Sequence, residues 1–165
     1  MLTVFIETKN SEEGLARTLA ALVPNAIDGF VRDVVVCDHG STDNTHRVAD
    51  HAGCHFVTTG FAAAIRQAKS DWILILEPGA RLADGWVEPV LVHVERQKIA
   101  ARFRRARSVR APFLSRIFAR KRALAEGLVI SKGQAASLSS KARSAEEMAK
   151  KIATKRLSAE IYSAP

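Results

Sequence analysis

The sequence has few cysteines and no long apolar run. Two cysteines in 165 residues, Cys37 and Cys54, are too few for a disulfide framework or a cysteine-rich zinc site. No stretch of 18 apolar residues occurs, which excludes a hydrophobic membrane-spanning helix. The opening Met1-Leu2-Thr3-Val4-Phe5-Ile6-Glu7 lacks a basic leader and a cleavage site, so it is expected to be a first strand and not a signal peptide. No internal repeat, low-complexity tract or Gly-x-Ser-x-Gly elbow is present. The five histidines, His39, His46, His51, His55 and His93, are not spaced as a metal set. With 47% hydrophobic and 25% charged residues, the chain is expected to bury one domain's core, and the expected compartment is the cytoplasm.

Charge is present in quantity and unevenly placed. Residues 1–96 hold 8 Lys/Arg against 13 Asp/Glu, a net of −5; residues 97–165 hold 17 against 4, a net of +13. The division suggests an acidic part over 1–98 and a basic segment over 99–165 of the same domain. A basic face of this kind implies an anionic neighbour such as a phospholipid surface, a phosphorylated ligand or nucleic acid.

The apolar pattern alternates between strand and helix. Strands are expected at 2–7, 31–38, 55–58 and 72–76, and helices at 11–23, 42–52, 62–69 and 84–97, with Pro24 to Gly29 ending the first helix. Val34-Val35-Val36 and Trp72-Ile73-Leu74-Ile75-Leu76 are continuous apolar runs, as in strands covered on both faces. Four strand–helix units predict an α/β fold with a mostly parallel, doubly wound sheet. Beyond residue 100 the expectation is a strand at 101–110, another at 127–131, helices at 133–138 and 145–155, and overall a basic C-terminal helical extension. Ligands of such sheets bind past the C-terminal strand ends. Here those ends are Glu7-Thr8, Asp38-His39-Gly40, Thr58-Thr59-Gly60 and Glu77-Pro78-Gly79, three of them carrying a carboxylate.

Three motifs at these ends carry a resemblance. Val34-Val35-Val36-Cys37-Asp38-His39-Gly40-Ser41-Thr42-Asp43 resembles the V-D-D-G-S-T-D signature of family 2 glycosyltransferases of the GT-A fold. Phe5-Ile6-Glu7-Thr8-Lys9-Asn10-Ser11-Glu12-Glu13 resembles that family's I-P-T-Y-N-E-E, and Asp71-Trp72-Ile73-Leu74-Ile75-Leu76-Glu77-Pro78-Gly79 its D-W-L-L-F-L-D-A-D. The resemblance implies a nucleotide-sugar donor, with Thr8, Asp38, His39, Gly40 and Ser41 around the nucleotide. It implies Glu77 as the first carboxylate of a manganese or magnesium motif. Glu146-Glu147 would stand at the family's E-D pair, which makes Glu147 the candidate catalytic base. The sequence departs from the family at Glu7 (proline), Lys9 (tyrosine), His39 (second aspartate of the pair) and Gly79 (second metal aspartate).

Three functions follow as expectations. The first is transfer of a sugar from a nucleotide-sugar to a lipid-linked or envelope-polysaccharide acceptor. The stretch Arg102 to Arg122, with interleaved Phe103, Phe113, Leu114, Ile117 and Phe118, would then meet an anionic surface at the inner face of the membrane. The second is a degenerate, non-catalytic nucleotide-binding or scaffold protein on the same fold. The third is a basic nucleic-acid binder, which no nucleic-acid motif accompanies.

Overall fold

The computed structural model describes residues 1–106 and 122–164. Their elements run β1 (Leu2–Thr8), α1 (Glu12–Ile27), β2 (Val31–Asp38), α2 (Thr45–His51), β3 (His55–Val57), α3 (Phe61–Gln67), β4 (Trp72–Leu76), β5 (Arg81–Leu82), α4 (Val87–Arg96) and β6 (Ala100–Arg105). After the undescribed stretch come a 3-10 turn (Ala123–Glu126), β7 (Leu128–Ser131), α5 (Lys132–Ser139), α6 (Ala145–Lys150) and β8 (Thr154–Tyr162).

All eight strands form one sheet in the order β3-β2-β1-β4-β7-β6-β8-β5. The first four are mutually parallel, with Ile6 of β1 opposite Val36 on one side and Leu76 on the other. β7 pairs antiparallel with β4 and β6, while β6 and β8 are parallel and β5 is antiparallel to β8. The sheet is therefore mixed beyond β4.

Strand alternation sorts side chains into two core layers. Val4, Ile6, Val36, Leu74 and Leu76 face α1 through Leu15, Leu19 and Leu22. Phe5, Val35, Ile73 and Ile75 face α3 through Phe61, Ala64 and Ile65, and on the same side Ala135 and Met148 of α5 and α6 complete the layer. Both faces of β1 are thus buried, which is why the apolar runs show no polar alternation.

Two expectations need correction. The first helix continues through Pro24 to Ile27. Proline there forfeits one amide donor, and Asp28 N still donates to Pro24 O at 3.0 Å. The C-terminal segment is also not a helical extension. The helix expected over 145–155 stops at Lys150, and Thr154–Tyr162 is a strand with Leu157, Ala159 and Ile161 buried in alternation. Of the basic stretch Arg102 to Arg122, residues 107–121 lie outside the described residues. Among the described residues, no helix is long and apolar enough to cross a membrane.

Phe103 joins the later strands to the earlier layer. Its ring meets Trp86 edge-on at 6.4 Å, and Trp86 meets Phe30 at 5.3 Å. Gly127 leads into β7 at φ +59, where a Cβ would lie 3.2 Å from Phe103 Cδ2 and 3.3 Å from Leu76 Cδ2. Phe103→Ala is expected to cost about 3–5 kcal/mol in urea unfolding. Val92→Ala, at an exposed position, is expected to change stability by less than about 0.5 kcal/mol.

Candidate functional site

The C-terminal ends of β1, β2 and β4 meet at one edge of the sheet, and the loops leaving them are tied together by polar side chains. Asp38, at the end of β2, is the tie point. It accepts Thr8 Oγ1 at 3.0 Å, Gly40 N at 3.0 Å, Ser41 N at 2.8 Å and the Ser41 hydroxyl. The loop after β1 is laced to the loop after β2: Asn10 N donates to Ser41 Oγ, Thr42 N to Asn10 Oδ1, Ser11 N to Thr45 Oγ1 and Glu12 N to Asp43 Oδ2. Most polar atoms of the Asp38–Thr45 motif are thus spent on shaping these loops. Burial pushes the Asp38 carboxyl up, but the Ser41 hydroxyl and amide, the Thr8 hydroxyl and the Gly40 amide outweigh it and hold the group below its ordinary range.

The loop after β4 is clamped to α1. Gly79 N donates to Gly14 O at 2.9 Å and to Thr18 Oγ1 at 2.8 Å. A Cβ on Gly14 would sit 3.1 Å from the Pro78 carbonyl carbon, so glycine lets the helix approach this loop without displacing it. The clamp presents Glu77 to the edge. Its Oε1 lies 3.7 Å from Arg122 Nε, and its buried Oε2 has no hydrogen-bond partner among the described residues. Burial pushes the Glu77 carboxyl above its ordinary range; Arg122 pulls it down, Glu146 pushes it up, Arg105 pulls it down, and burial prevails.

Glu7 and His39 form a pair at the same edge, with Glu7 Oε1 2.6 Å from His39 Nε2 and Glu7 Oε2 accepting Ala145 N at 2.8 Å. The carboxylate beside His39 is therefore Glu7, across the β1–β2 pair, and not its chain neighbour Asp38. Glu146 accepts the amides of Ala123 and Leu124 at 2.8 and 3.0 Å.

A cavity of about 350 Å³ opens at this edge, lined by Glu7, Thr8, Lys9, Ser11, His39, Leu76, Glu77, Pro78, Arg122, Leu124 and Glu146. Of the residues singled out in the sequence, Thr8, His39 and Glu77 line it. Asp38, Gly40 and Ser41 stand behind it as the loop frame. Glu147 stands outside, with its carboxylate on Lys151 Nζ at 2.7 Å and on Arg143 N at 2.9 Å. Successive helical residues point about 100° apart, and it is Glu146 that faces the cavity. Among the lining residues, Arg122 was named in the sequence only as the end of the basic stretch and Glu146 only as the partner of Glu147. Both reach it from beyond residue 120, where the strand-end pattern no longer guides the reading.

Two carboxylate groupings invite a cation. Glu7, Cys37 and His39 converge within 4.8 Å. Burial, then Glu7 and Asp38, push the Cys37 thiol up to about 12, so it keeps its proton, and both Glu7 oxygens are already engaged. That trio does not fit a metal. Glu77 fits better: its unpartnered Oε2 is a hard oxygen ligand, and magnesium or manganese needs only one or two carboxylates when phosphates supply the rest.

The family model for glycosyl transferase family 2 matches residues 3–122, which contain all three strand-end motifs. The chain belongs to this family. Solved structures agree in fold. Staphylococcus aureus TarS (residues 1–349) in complex with UDP-GlcNAc is 15% identical, with a TM-score of 0.67 over 99% of this chain and 58% of that one. Glucosyl-3-phosphoglycerate synthase from Mycobacterium tuberculosis, in complex with Mg2+ and UDP, is 17% identical, with a TM-score of 0.54 over 81% of this chain and 57% of that one. This family member thus spans under three fifths of the length of those two proteins. No curated protein matches it. The family's GT-A fold accommodates the mixed sheet described above.

The two shifted carboxylates make opposite predictions. Asp38→Asn is expected to cost about 1–3 kcal/mol at pH 7. A depressed acid stabilises the fold above its unfolded pKa, so this difference should shrink as pH falls through the folded carboxyl's range. Glu77 is raised, so its ionisation opposes folding as pH rises above the ordinary carboxylate range. Glu77→Gln should therefore be at least as stable as the parent at pH 7 and lose that advantage below about pH 4. Thermal melts of both variants between pH 3 and 8 check the two signs.

Proposed function

We propose that this family 2 domain binds a uridine diphosphate sugar at the C-terminal edge of β1, β2 and β4 and transfers the sugar to an acceptor hydroxyl. The observation that carries the reading is Glu77. It is a half-buried carboxylate whose buried Oε2 has no partner among the described residues, clamped by α1 at the rim of a cavity that also holds cationic and imidazole groups. A buried carboxylate oxygen without a donor opposes folding, and such groups cluster at binding and catalytic sites. TarS binds UDP-GlcNAc and the mycobacterial synthase binds UDP with Mg2+ or Mn2+, which supports the uridine donor.

In this reading the Asp38 loop, with Thr8, His39, Gly40 and Ser41, frames the nucleotide end. Lys9 and Arg122 would face the diphosphate, and Glu77 would contribute one ligand to a divalent cation. The cation, when bound, offsets charge on the departing nucleoside diphosphate. With Gly79 in place of the family's second aspartate, Arg122 and Lys9 carry more of that charge compensation than the family pattern requires. The acceptor oxygen bonds to the anomeric carbon as the bond from that carbon to the diphosphate breaks, and the electron pair leaves with the diphosphate. The hydroxyl proton passes to a base. Glu147, the base implied by the family pattern, would have to leave Lys151 to serve.

The acceptor belongs to the lipid-linked or envelope-polysaccharide class, and the protein works in the cytoplasm at the inner membrane face. The basic composition of residues 97–165 supports that placement. Gly79 favours a second reading, a nucleotide-binding or scaffold protein without transfer.

Calorimetric titration with UDP, with and without manganese, separates the two. Manganese is expected to tighten UDP binding by about tenfold or more, equivalent to about 1.4 kcal/mol, and Glu77→Gln to abolish that gain while leaving metal-free binding. If neither UDP, GDP nor dTDP binds, the enzyme reading falls and the scaffold reading stands.

A further inference from the structure

A second concavity, of about 550 Å³, adjoins the first and shares Arg122 with it. Its walls come from β6, the 3-10 turn, α6 and the start of β8. The cations lining it are Arg102, Arg105, Arg122, Lys150 and Arg156, and Glu126 is the one acidic residue among its described lining.

The charges are incompletely answered among the described residues. Arg102 gives Nη1 to Ala123 O at 2.7 Å and Nη2 to Ala149 O, yet its buried Nε has no hydrogen-bond partner among the described residues. Arg156 reaches Glu126 only at 3.4 Å, and Lys150 reaches Glu146 at 3.3 Å; both cations are more than half exposed, so these pairs are weak. Among the described residues Arg105 has no ion pair. Cations gathered in one hollow repel one another unless an anion enters.

We infer that this second cleft binds a phosphate group carried by the sugar acceptor. The word acceptor rests on the donor-site reading proposed above; the phosphate rests on the arginine cleft alone. Guanidinium forks match the oxygens of a phosphate in direction and charge better than any other side chain. The hollow is the size of a small-molecule site, not an extended track. No aromatic residue lines it among those described, so it lacks the stacking platform with which single-stranded nucleic acid is held. Arg122, common to both cavities, would bring the anchored acceptor beside Glu77 and the donor diphosphate.

The same chemistry fits a soluble phosphorylated acceptor or a phospholipid headgroup, and the experiment distinguishes them. The full chain and an Arg105→Ala/Arg156→Ala variant are titrated with glycerol 3-phosphate at fixed ionic strength. Both proteins are also sedimented with vesicles of phosphatidylcholine, with and without phosphatidylglycerol, and titrated with UDP. Both substituted side chains are exposed, so the variant is expected to fold. The inference expects the variant to lose about tenfold or more in affinity for glycerol 3-phosphate, the phosphatidylglycerol vesicles, or both, while UDP affinity stays within about twofold. Loss in the glycerol 3-phosphate arm identifies a soluble acceptor, and loss in the vesicle arm alone identifies a headgroup. Should the double variant fold poorly by circular dichroism, Arg156→Lys serves instead. That substitution keeps the charge, removes the fork and is expected to weaken binding by about threefold or more. Unchanged affinity in the variant, absence of binding in both arms, or binding only of a random-sequence oligonucleotide overturns the inference. If UDP fails to bind the parent while phosphate binding is present and lost in the variant, the donor reading falls and the phosphate site stands.

Discussion

The candidate site hangs on the Asp38 carboxylate. Parallel strands end without a hairpin, so the loops leaving β1 and β2 have no covalent or ladder constraint to hold them together. Asp38 supplies it, accepting from Thr8 on the neighbouring strand and from Gly40 and Ser41 on its own loop. With that anchor set, Asn10, Ser11 and Glu12 can lace to Ser41, Thr45 and Asp43, and α1 starts at a defined place. The position of α1 then fixes the loop of Glu77 through Gly14 and Thr18. One buried charge, hydrogen-bonded on both oxygens, thus propagates order from β2 to β1 to β4.

The two acids at this edge illustrate opposite uses of burial. Asp38 has every oxygen satisfied, and its ionisation favours the fold. Glu77 has an oxygen without a donor among the described residues, and its ionisation opposes it. The first arrangement builds structure. The second stores a mismatch that a cation or ligand would relieve, which is the usual relation between stability and function at a binding edge. The distribution of charge extends the same logic across Arg122. Carboxylates gather in the first cavity and guanidinium groups in the second, so one arginine stands between a cleft rich in acids and one rich in cations.

Much of the first hundred residues was legible in the sequence because local and tertiary requirements coincide there. Val34-Val35-Val36 and Ile73-Leu74-Ile75 are strands covered on both faces, and a strand covered on both faces needs no polar alternation. The helices between them had to cross over the sheet, which sets parallel order without knowledge of any long-range contact. The later part was harder. Thr154–Tyr162 follows a short helix with only one turn of warning, and its charged Lys155, Arg156 and Glu160 resemble a solvated helical face. From Arg156 onward, Arg156, Ser158 and Glu160 alternate with Leu157, Ala159 and Ile161, a period of two that a sheet partner makes meaningful and that helix propensity alone obscures.

The sequence by itself determined the α/β class, the family motifs, the acids at the strand ends and the basic character of the C-terminal part, since each is a matter of residue type and spacing along one segment. Only the tertiary structure decided which of those acids face the cleft. Asp38 turned inward to its own loop because four donors surround it there. Glu7 was paired with His39 because parallel register sets β1 beside β2. Glu146 was chosen over Glu147 because a helix presents one of two neighbours to a given side. Arg122 entered the site because β7 returns the chain alongside β4. Several of these contacts join residues 30 to 138 positions apart, and spacing along the chain holds no record of them.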